Sequence, residues 1–311
     1  MTSIFNKLKN YFTEHPLPHS ALQVTSSYIS GIHLSTKDRI LKNHFVLPIA
    51  GGIVQPSLEK ANIKDPSLLQ KVINEGVKKF NIYDHGVALL LPELSQRTFV
   101  FSFDALPGTS KEREQIIRFR VKKQMPLLPK DVRISYDILR TKGRKKIISS
   151  LARSTVVSDY ENFFGQLRLR IRAVGFPLLG LSHLVNWNQE KDFFLINIEK
   201  DSFGLLAVTD SEPSLYRQKP LMVRKSENYL LERVQNIVQE IENTAQFIRD
   251  KEKREISSIW IRFGLLESEE EMLSNMESKL NFPIKNIESL VGLKLSKQDK
   301  KILAPLIGQL L

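Results

Sequence analysis

The sequence contains no cysteine and no long hydrophobic run. Without cysteine, neither disulfides nor thiolate metal sites can hold the chain together. A transmembrane helix needs roughly 18 apolar residues, whereas the longest apolar segments, 87–92 and 193–198, have the length of strands. The N-terminus is basic, but no apolar segment of the kind found in signal peptides follows it. We therefore expect a protein without disulfides, a transmembrane helix or a signal peptide.

Motifs for metal binding and hydrolysis are also missing. None of the six histidines lies four residues from another on a predicted helix, and no His-Glu-x-x-His motif occurs. No Gly-x-Ser-x-Gly motif marks a nucleophilic serine. The sequence thus predicts no metal site, and we assign no catalytic residue.

Positive charge is what the sequence has in excess. The 311 residues include 46 Lys and Arg against 34 Asp and Glu, for a net charge of +12. Such an excess favours a polyanionic neighbour, whether a membrane surface, an acidic protein or a nucleic acid. Nucleic acid is the weakest of these options, because no aromatic pair of the RNA-binding type is visible. The simplest interpretation remains a solvated basic surface.

The densest cationic stretch lies on a predicted helix that begins with a capping box, Thr109-x-x-Glu112. We interpret its cations either as contacts for an anionic lipid surface or acidic partner, or as a solvated helix face. These cations are Lys111, Arg113, Arg118, Arg120, Lys122 and Lys123.

The short apolar runs in residues 21–34 predict two strands around a polar turn, Thr25-Ser26-Ser27. A similar pair of strands, 193–198 and 203–209, flanks residues 199–202 in the second half. Strands and helices alternate along the rest of the chain, which indicates an α/β protein. Within it, 40–41 and 45–49 are predicted as two strands, 159–170 as an amphipathic helix and Glu212-Pro213 as a turn. The longest predicted helix, 227–254, has an apolar stripe that suits packing on a sheet better than a coiled coil.

Several short segments, in their order, resemble the PilM family, the actin-like proteins of type IV pilus assembly. The most recognisable block begins with residues 103–107. It continues through the Thr109 helix and Gln124-Met125-Pro126-Leu127 to Tyr136-Asp137. Other matching segments are the first hairpin, Asp65-Pro66, 87–92, Leu151-Ala152-Arg153, Ala173-Val174-Gly175, Arg217 and Leu306-Ile307-Gly308. The resemblance therefore covers nearly the whole chain, although each motif alone is short.

The resemblance implies a two-lobed actin-like (ribonuclease H-like) fold with the extra subdomain of PilM and FtsA. On this interpretation residues 19–83 and 173–190 form the first lobe, 84–172 the inserted subdomain and 191–311 the second lobe. Residues 1–18 are a separate amphipathic segment, predicted as a short helix ended by Pro16 and Pro18.

The sequence departs from that family where nucleotide chemistry would occur. In such proteins the hairpin turns hold phosphates through glycine backbone amides, and an aspartate helps to place the metal ion. Here Gln23 and Thr25 stand at the aspartate and glycine positions of the first turn, which continues with Ser26 and Ser27. Asn197 and Glu199 stand at the aspartate and glycine positions of the second turn. Near the adenine position, Gly264 is single where the family usually has a pair of glycines.

These departures favour a non-catalytic scaffold over an enzyme. The resemblance implies a place on the cytoplasmic face of the inner membrane and binding of the N-terminal tail of a PilN-like membrane protein beside the inserted subdomain. The scaffold hypothesis adds self-association as a homo-oligomer. It also implies a relation to the cytoplasmic domain of GspL. No cofactor is expected on this hypothesis. Two alternatives stay open: an active ATPase that binds ATP and Mg²⁺, and a peripheral membrane-binding module acting through the basic helix.

Overall fold

The computed structural model describes residues 18–35, 40–78, 86–139, 143–221, 229–265 and 269–311. The predicted N-terminal helix lies outside these residues. The strands are β1 (Ser20–Val24), β2 (Tyr28–Leu34), β3 (Leu41–Pro48), β4 (Val87–Leu90), β5 (Arg97–Phe103), β6 (Val132–Leu139), β7 (Lys145–Arg153), β8 (Ile171–Gly175), β9 (Phe193–Ile198), β10 (Ser202–Thr209), β11 (Glu212–Pro220), β12 (Ser258–Phe263) and β13 (Ile284–Asn286). The helices are α1 (Pro66–Val77), α2 (Ser110–Gln124), α3 (Ser154–Gln166), α4 (Pro177–Ser182), α5 (Tyr229–Glu252), α6 (Glu269–Glu277) and α7 (Lys297–Gln309).

Two five-stranded sheets share one topology. The first has the order β3-β2-β1-β4-β8 and the second β11-β10-β9-β12-β13. In each, an antiparallel hairpin leads into a third antiparallel strand, and two further strands pair in parallel. The sheet of each lobe is thus built in the same way, and the two hairpins predicted from the sequence take equivalent places.

The layers of the molecule follow from the alternation of side chains along each strand. One face of the first sheet packs on α1 and α3, and its other face packs on α7. One face of the second sheet packs on α5 and α6, and its other face packs on α4. Helices α4 and α7 therefore form a central layer between the sheets, and α5 packs on a sheet as predicted.

A third sheet, β5-β7-β6, carries α2 on one face. The predicted N-cap of α2 is confirmed, because the Thr109 hydroxyl accepts a hydrogen bond from the amide of Glu112 at 3.2 Å; the Glu112 carboxylate accepts from that hydroxyl. The predicted insertion, 84–172, is too wide. Strand β4 lies inside the first sheet, and α3 buries Val156, Tyr160 and Phe164 in the core of the first lobe. The segment that leaves this lobe is therefore close to 97–153.

The structure corrects three further predictions. Glu212-Pro213, predicted as a turn, begins β11, and the turn is made by Asp210 and Ser211, both with positive φ (53° and 64°). The two strands expected near 40–49 are one, β3. Strands β8 and β13 were not predicted; both are short, and both lie at the edge of a sheet.

Candidate functional site

Five buried polar side chains meet between the two sheets: Gln23, Tyr28, Asn197, Glu199 and Arg262. We call them the interlobe cluster. Strand alternation explains why they meet, since apolar neighbours such as Val24, Ile198 and Phe263 turn to the outer cores. The polar residues turn to the opposite faces, which look towards each other.

Arg262 is the centre of the interlobe cluster and has no solvent exposure. Its Nη2 donates to the Tyr28 hydroxyl at 2.7 Å and its Nη1 to Asn197 Oδ1 at 2.8 Å. Nη1 also forms an ion pair with Glu199. Nε and Nη2 donate to the carbonyls of Lys301 and Ile302 at 3.0 and 3.1 Å. A guanidinium has five N–H donors, so each of them has a partner here.

Glu199 is held from both lobes. The Tyr28 hydroxyl donates to its Oε1 at 3.0 Å, and Gln23 Nε2 donates to the same oxygen at 3.2 Å. Gly264 lies so close that a β-carbon there would overlap the Glu199 carboxylate. The position predicted to face phosphate oxygens thus faces an arginine, a tyrosine and an amide.

Burial dominates the electrostatics of the interlobe cluster. Burial raises the pKa of the Glu199 carboxyl, and the neighbouring Arg262 charge acts in the opposite direction. Burial also raises the pKa of the Tyr28 phenol, so Tyr28 keeps its proton and can donate it. For Arg262, burial alone would lower the pKa, but Glu199 and Tyr28 outweigh it and hold the pKa above its ordinary value.

The remaining residues of the first turn do not reach into the interlobe cluster. Thr25 closes its own turn: its hydroxyl donates to the Tyr28 carbonyl at 2.8 Å and accepts from the Tyr28 amide at 2.9 Å. Ser26 and Ser27 are half-buried in that turn, and the Ser27 carbonyl accepts from the amide of Ile49 at 2.9 Å. Of the predicted site residues, the structure therefore brings together Gln23, Asn197, Glu199 and Gly264. The turn residues Thr25, Ser26 and Ser27 lie outside this group.

Sequence reasoning missed Tyr28 and Arg262. Arg262 had a detectable signal, because it interrupts the apolar strand Ser-Ile-Trp-Ile-Arg-Phe. A charged side chain in a buried strand requires a partner of opposite charge. Glu199, one residue beyond the neighbouring strand β9, is that partner.

A second buried carboxyl, Glu93, joins the first lobe to the second. It lies in a short 3₁₀ turn after β4 and forms hydrogen bonds with Tyr216 of β11 and with Gln96. The Leu178 amide donates to its other oxygen at 3.4 Å. Burial raises the pKa of Glu93 to about 7, although the Leu178 amide acts to lower it. The sequence analysis gave no sign of this residue.

A groove runs between the edge strand β6 of the small sheet and the edge strand β8 of the first lobe; we call it the β6–β8 groove. One part, of about 280 Å³, is lined by Ile134 and Ala152 of the small sheet and by Val157 and Ile171 of the first lobe. The next part, of about 450 Å³, is lined by Asp137, Ile148, Phe176 and Trp187, among others. Ser135, Ser150, Val174 and Phe176 border both parts, so the groove is continuous.

The cations predicted as contacts for an anionic partner lie elsewhere. They are on α2, which packs against the face of the small sheet that bears Phe101, Ile147 and Leu151. Ser135, Asp137 and Ile148, which line the groove, alternate with residues of that face and point to the other side. The basic helix therefore packs on the face opposite to these three groove residues. Ile134 and Leu151 belong to the face that carries α2 and also border the first part of the groove.

Comparison with known proteins gives a match in structure and none in sequence. No protein-family model matches the sequence, and no curated protein matches it. A *Bacteroides thetaiotaomicron* protein with an actin-like ATPase fold and unknown function matches with a TM-score of 0.51 at 8% identity, over 88% of this chain and 92% of that one. The chain thus has the actin-like fold predicted from its sequence.

A PilM–PilN type IV pilus biogenesis complex matches with a TM-score of 0.76 at 15% identity, over 95% of this chain and 98% of that one. The resemblance to PilM is therefore confirmed at the level of the fold. The cytoplasmic domain of EpsL, an inner-membrane component of the *Vibrio cholerae* type II secretion system, matches with a TM-score of 0.49 at 11% identity, over 85% of this chain and 96% of that one. None of the described helices is both long and apolar enough to cross a bilayer.

Proposed function

We propose that the protein is a non-catalytic actin-like scaffold of a type IV pilus or related secretion machine. In this role it holds the N-terminal cytoplasmic tail of a PilN-like membrane protein at the inner face of the inner membrane. The observation that supports the proposal is the interlobe cluster, because its buried side chains include Gln23, Asn197 and Glu199, the positions that the resemblance assigns to the phosphate-binding turns.

The residues present do not fit a nucleotide with its metal ion. Phosphate oxygens near the second hairpin would meet the Glu199 carboxylate, and like charges at close range repel. All five donors of Arg262 are already used within the protein. Thr25 gives its hydroxyl to its own turn. Binding ATP would require these buried hydrogen bonds to break, and a buried polar group left without a partner costs about 1–3 kcal/mol.

The β6–β8 groove suits an extended peptide. It lies between two strands at sheet edges, and such strands can pair with an added strand. Its walls are mostly apolar, and Asp137 adds an exposed carboxylate. The other acidic residue at the groove, Glu161, is already paired with Arg133 at 2.7 Å. A short apolar tail with one cationic group is therefore the ligand that this groove favours.

Calorimetry with a synthetic N-terminal peptide of a PilN-like protein from the same genome tests the proposal. We expect a dissociation constant in the micromolar range. Ser135→Arg, which places a long side chain in the groove, and Asp137→Lys should each weaken binding at least tenfold. Glu277→Lys reverses an exposed charge on α6 and serves as the control. Equal binding by all variants would exclude the groove, and no binding at high micromolar peptide would exclude the partner.

A thermal-shift measurement tests the non-catalytic part separately. A ligand that binds only the folded state raises the melting temperature. We expect no shift at millimolar Mg-ATP, because the site residues are engaged with one another. A concentration-dependent rise would instead support the alternative of an active ATPase.

A further inference from the structure

Helix α2 has apolar side chains on two opposite sides. Ile117 and Val121 are fully buried in the core of the small sheet. Phe119, on the other side, is 62% exposed, and Ile116 is 36% exposed. Three residues after the helix ends, Leu127 is 91% exposed. Packing within the chain accounts for the first pair only, so the three exposed residues are free to contact another molecule.

Cations surround these exposed apolar residues. Segment 110–130 holds seven Lys and Arg against two Glu, a net excess of five positive charges. Both glutamates are engaged locally: Glu112 accepts from Thr109 at 2.7 Å and Glu114 pairs with Arg118 at 2.9 Å. Among the residues that the structure describes, no ion pair joins the exposed Lys111, Lys122, Lys123 or Lys130 to a carboxylate.

Phe119 and Lys123 are arranged as residues at a membrane interface are. The Lys123 ammonium lies 5.8 Å from the centre of the Phe119 ring. A lysine beside an apolar group can keep its charge among lipid headgroups while the apolar group enters the acyl boundary. The Arg120 guanidinium lies 5.2 Å from the centre of the Phe103 ring, so this positive charge is held against the small sheet beside α2.

We propose that this outer surface of α2, formed by Ile116, Phe119, Leu127 and the surrounding lysines, lies against an anionic membrane. Phe119 and Leu127 enter the interface, and Lys122 and Lys123 contact anionic headgroups. A bilayer accommodates both the aliphatic and the aromatic residue. An acidic nucleic acid would use the lysines and stack on Phe119, but it offers nothing to Leu127. An acidic protein partner would need an apolar pocket beside its carboxylates to receive these residues, whereas an anionic bilayer presents both at every point of its surface.

This inference is independent of the peptide proposal. The outer surface of α2 faces away from the small sheet, whereas the groove residues Ser135 and Asp137 lie on the sheet face opposite to α2. A variant can therefore lose membrane binding and keep peptide binding, or the reverse. The failure of one proposal is distinguishable from the failure of the other.

Co-sedimentation of the full chain with vesicles tests the proposal. We expect binding to vesicles of equal phosphatidylglycerol and phosphatidylcholine, and none to phosphatidylcholine alone. Each lysine near an anionic surface contributes roughly fivefold, so Lys122→Glu with Lys123→Glu should weaken partitioning by roughly 30-fold or more. Raising the salt concentration should weaken it as well. Phe119→Ser should weaken it roughly tenfold, because one apolar side chain no longer leaves water.

Lys294→Glu with Lys297→Glu is the matched control, since both residues are exposed and the net charge changes equally. Leu231→Ser, at an exposed leucine on α5, is the control for Phe119→Ser. We expect both controls to bind as the wild type does. Absence of binding to the anionic vesicles, or equal losses in the α2 variants and the controls, would overturn the proposal.

Insertion is tested directly with Leu127→Trp and brominated lipids. We expect vesicles to quench the added fluorescence, relative to a wild type that contains only Trp187 and Trp260. Binding without quenching would show that the surface stays outside the bilayer and would overturn insertion. Tighter binding of the full chain to RNA than to anionic vesicles, lost in the same α2 variants, would replace the membrane with a nucleic acid.

Discussion

Arg262 has a carboxylate, a phenol, an amide and two backbone carbonyls around a guanidinium that water does not reach. For such a buried ion pair, the largest change in stability is expected when one partner is removed and the other stays buried. A buried pair is often worth little compared with a well-packed apolar pair, but a single buried charge without its partner costs several kcal/mol.

We therefore expect Arg262→Met to lower the free energy of unfolding by about 3–5 kcal/mol, because Glu199 is left buried without its counter-charge. The double variant with Glu199→Met should lose much less than the sum of the two single changes. Urea denaturation of the four proteins measures this coupling. Arg118→Gln, which breaks an exposed ion pair on α2, should cost less than about 1 kcal/mol. Additive losses at 262 and 199 would contradict the assigned pair.

Glu93 makes a pH-dependent contribution to stability. Its pKa is near 4.5 in the unfolded chain and about 7 in the folded protein, so the folded state holds the proton more tightly. The free energy of unfolding should fall as the pH rises through this window, by on the order of 3 kcal/mol, and stay low above it. Glu93→Gln should remove that part of the pH dependence and be more stable than the wild type at pH 8.

Denaturation of wild type and Glu93→Gln across this pH range checks the prediction. Burial also raises the pKa of Glu199 and Asp201, so the difference between the two proteins is the informative quantity. Asp104→Asn, at an exposed carboxylate, is the control and should leave the profile unchanged. If the Glu93→Gln profile runs parallel to that of the wild type, Glu93 does not titrate in this window.

Part of the interlobe cluster could be predicted at the residue scale, and part could not. The polar residues Gln23, Asn197 and Glu199 stand out in hairpins that are otherwise apolar, and strand alternation sends them to one side. Tyr28 gives no such signal, because a tyrosine at the start of a strand is usually packed in a core. Glu93 was also out of reach, since its partner Tyr216 is 123 residues away in the chain.

At the scale of elements, helices α4 and α7 approach each other through two glycines. A β-carbon at Gly308 would overlap the backbone carbonyl of Gly180, and one at Gly180 would overlap the carbonyl of Pro305. Since α7 packs on the first sheet and α4 on the second, this approach sets the separation of the two lobes.

We expect Gly308→Ala to lower the free energy of unfolding by about 1–3 kcal/mol, as overpacking does in a dense interior. Gly165→Ala is the matched control, because Gly165 lies in helix α3 with open space around its α-carbon. That substitution should be neutral or stabilising by up to about 1 kcal/mol, through helix propensity alone. Thermal denaturation of both variants distinguishes steric overlap from propensity, and similar behaviour of the two would contradict the close approach.

The elements predicted best from the sequence are those with a strong local pattern. Both hairpins, the capped helix α2 and the long helix α5 lie where their spacing and capping residues place them. Strands β8 and β13 were missed because they have five and three residues and depend on pairing with distant strands. Helix α3 begins at Ser154, five residues before its predicted start, without a side-chain cap to mark it.

At the scale of the whole molecule, the two lobes are joined by the interlobe cluster, by the hydrogen bonds of Glu93 and by the central helices. Gln23 and Tyr28 of the first lobe form hydrogen bonds with Glu199 of the second, and Glu93 of the first lobe forms one with Tyr216 of the second. We therefore expect the protein to unfold in one transition, although chains of this length often unfold in steps.

Guanidinium denaturation followed in parallel by far-ultraviolet circular dichroism and by tryptophan fluorescence checks this prediction. Trp260 lies on β12 and Trp187 packs against Phe193 of β9, so fluorescence weights the second sheet, whereas circular dichroism reports on both lobes. Coincident curves are expected. In the Arg262→Met variant the curves should separate, because the hydrogen bond from Arg262 to Tyr28 of the first lobe is lost and Glu199 is left without its counter-charge. Separate curves in the wild type would show that the lobes are energetically independent.

The position of β6 and β8 at the edges of their sheets has a practical consequence for handling this protein. Their unpaired backbone groups could join those of a neighbouring molecule as readily as those of a partner. Preparations of the protein alone should aggregate during concentration, and co-expression with the tail of the proposed partner should raise the soluble yield. The same edge strands make a peptide fused through a flexible linker a reasonable aid to crystallisation.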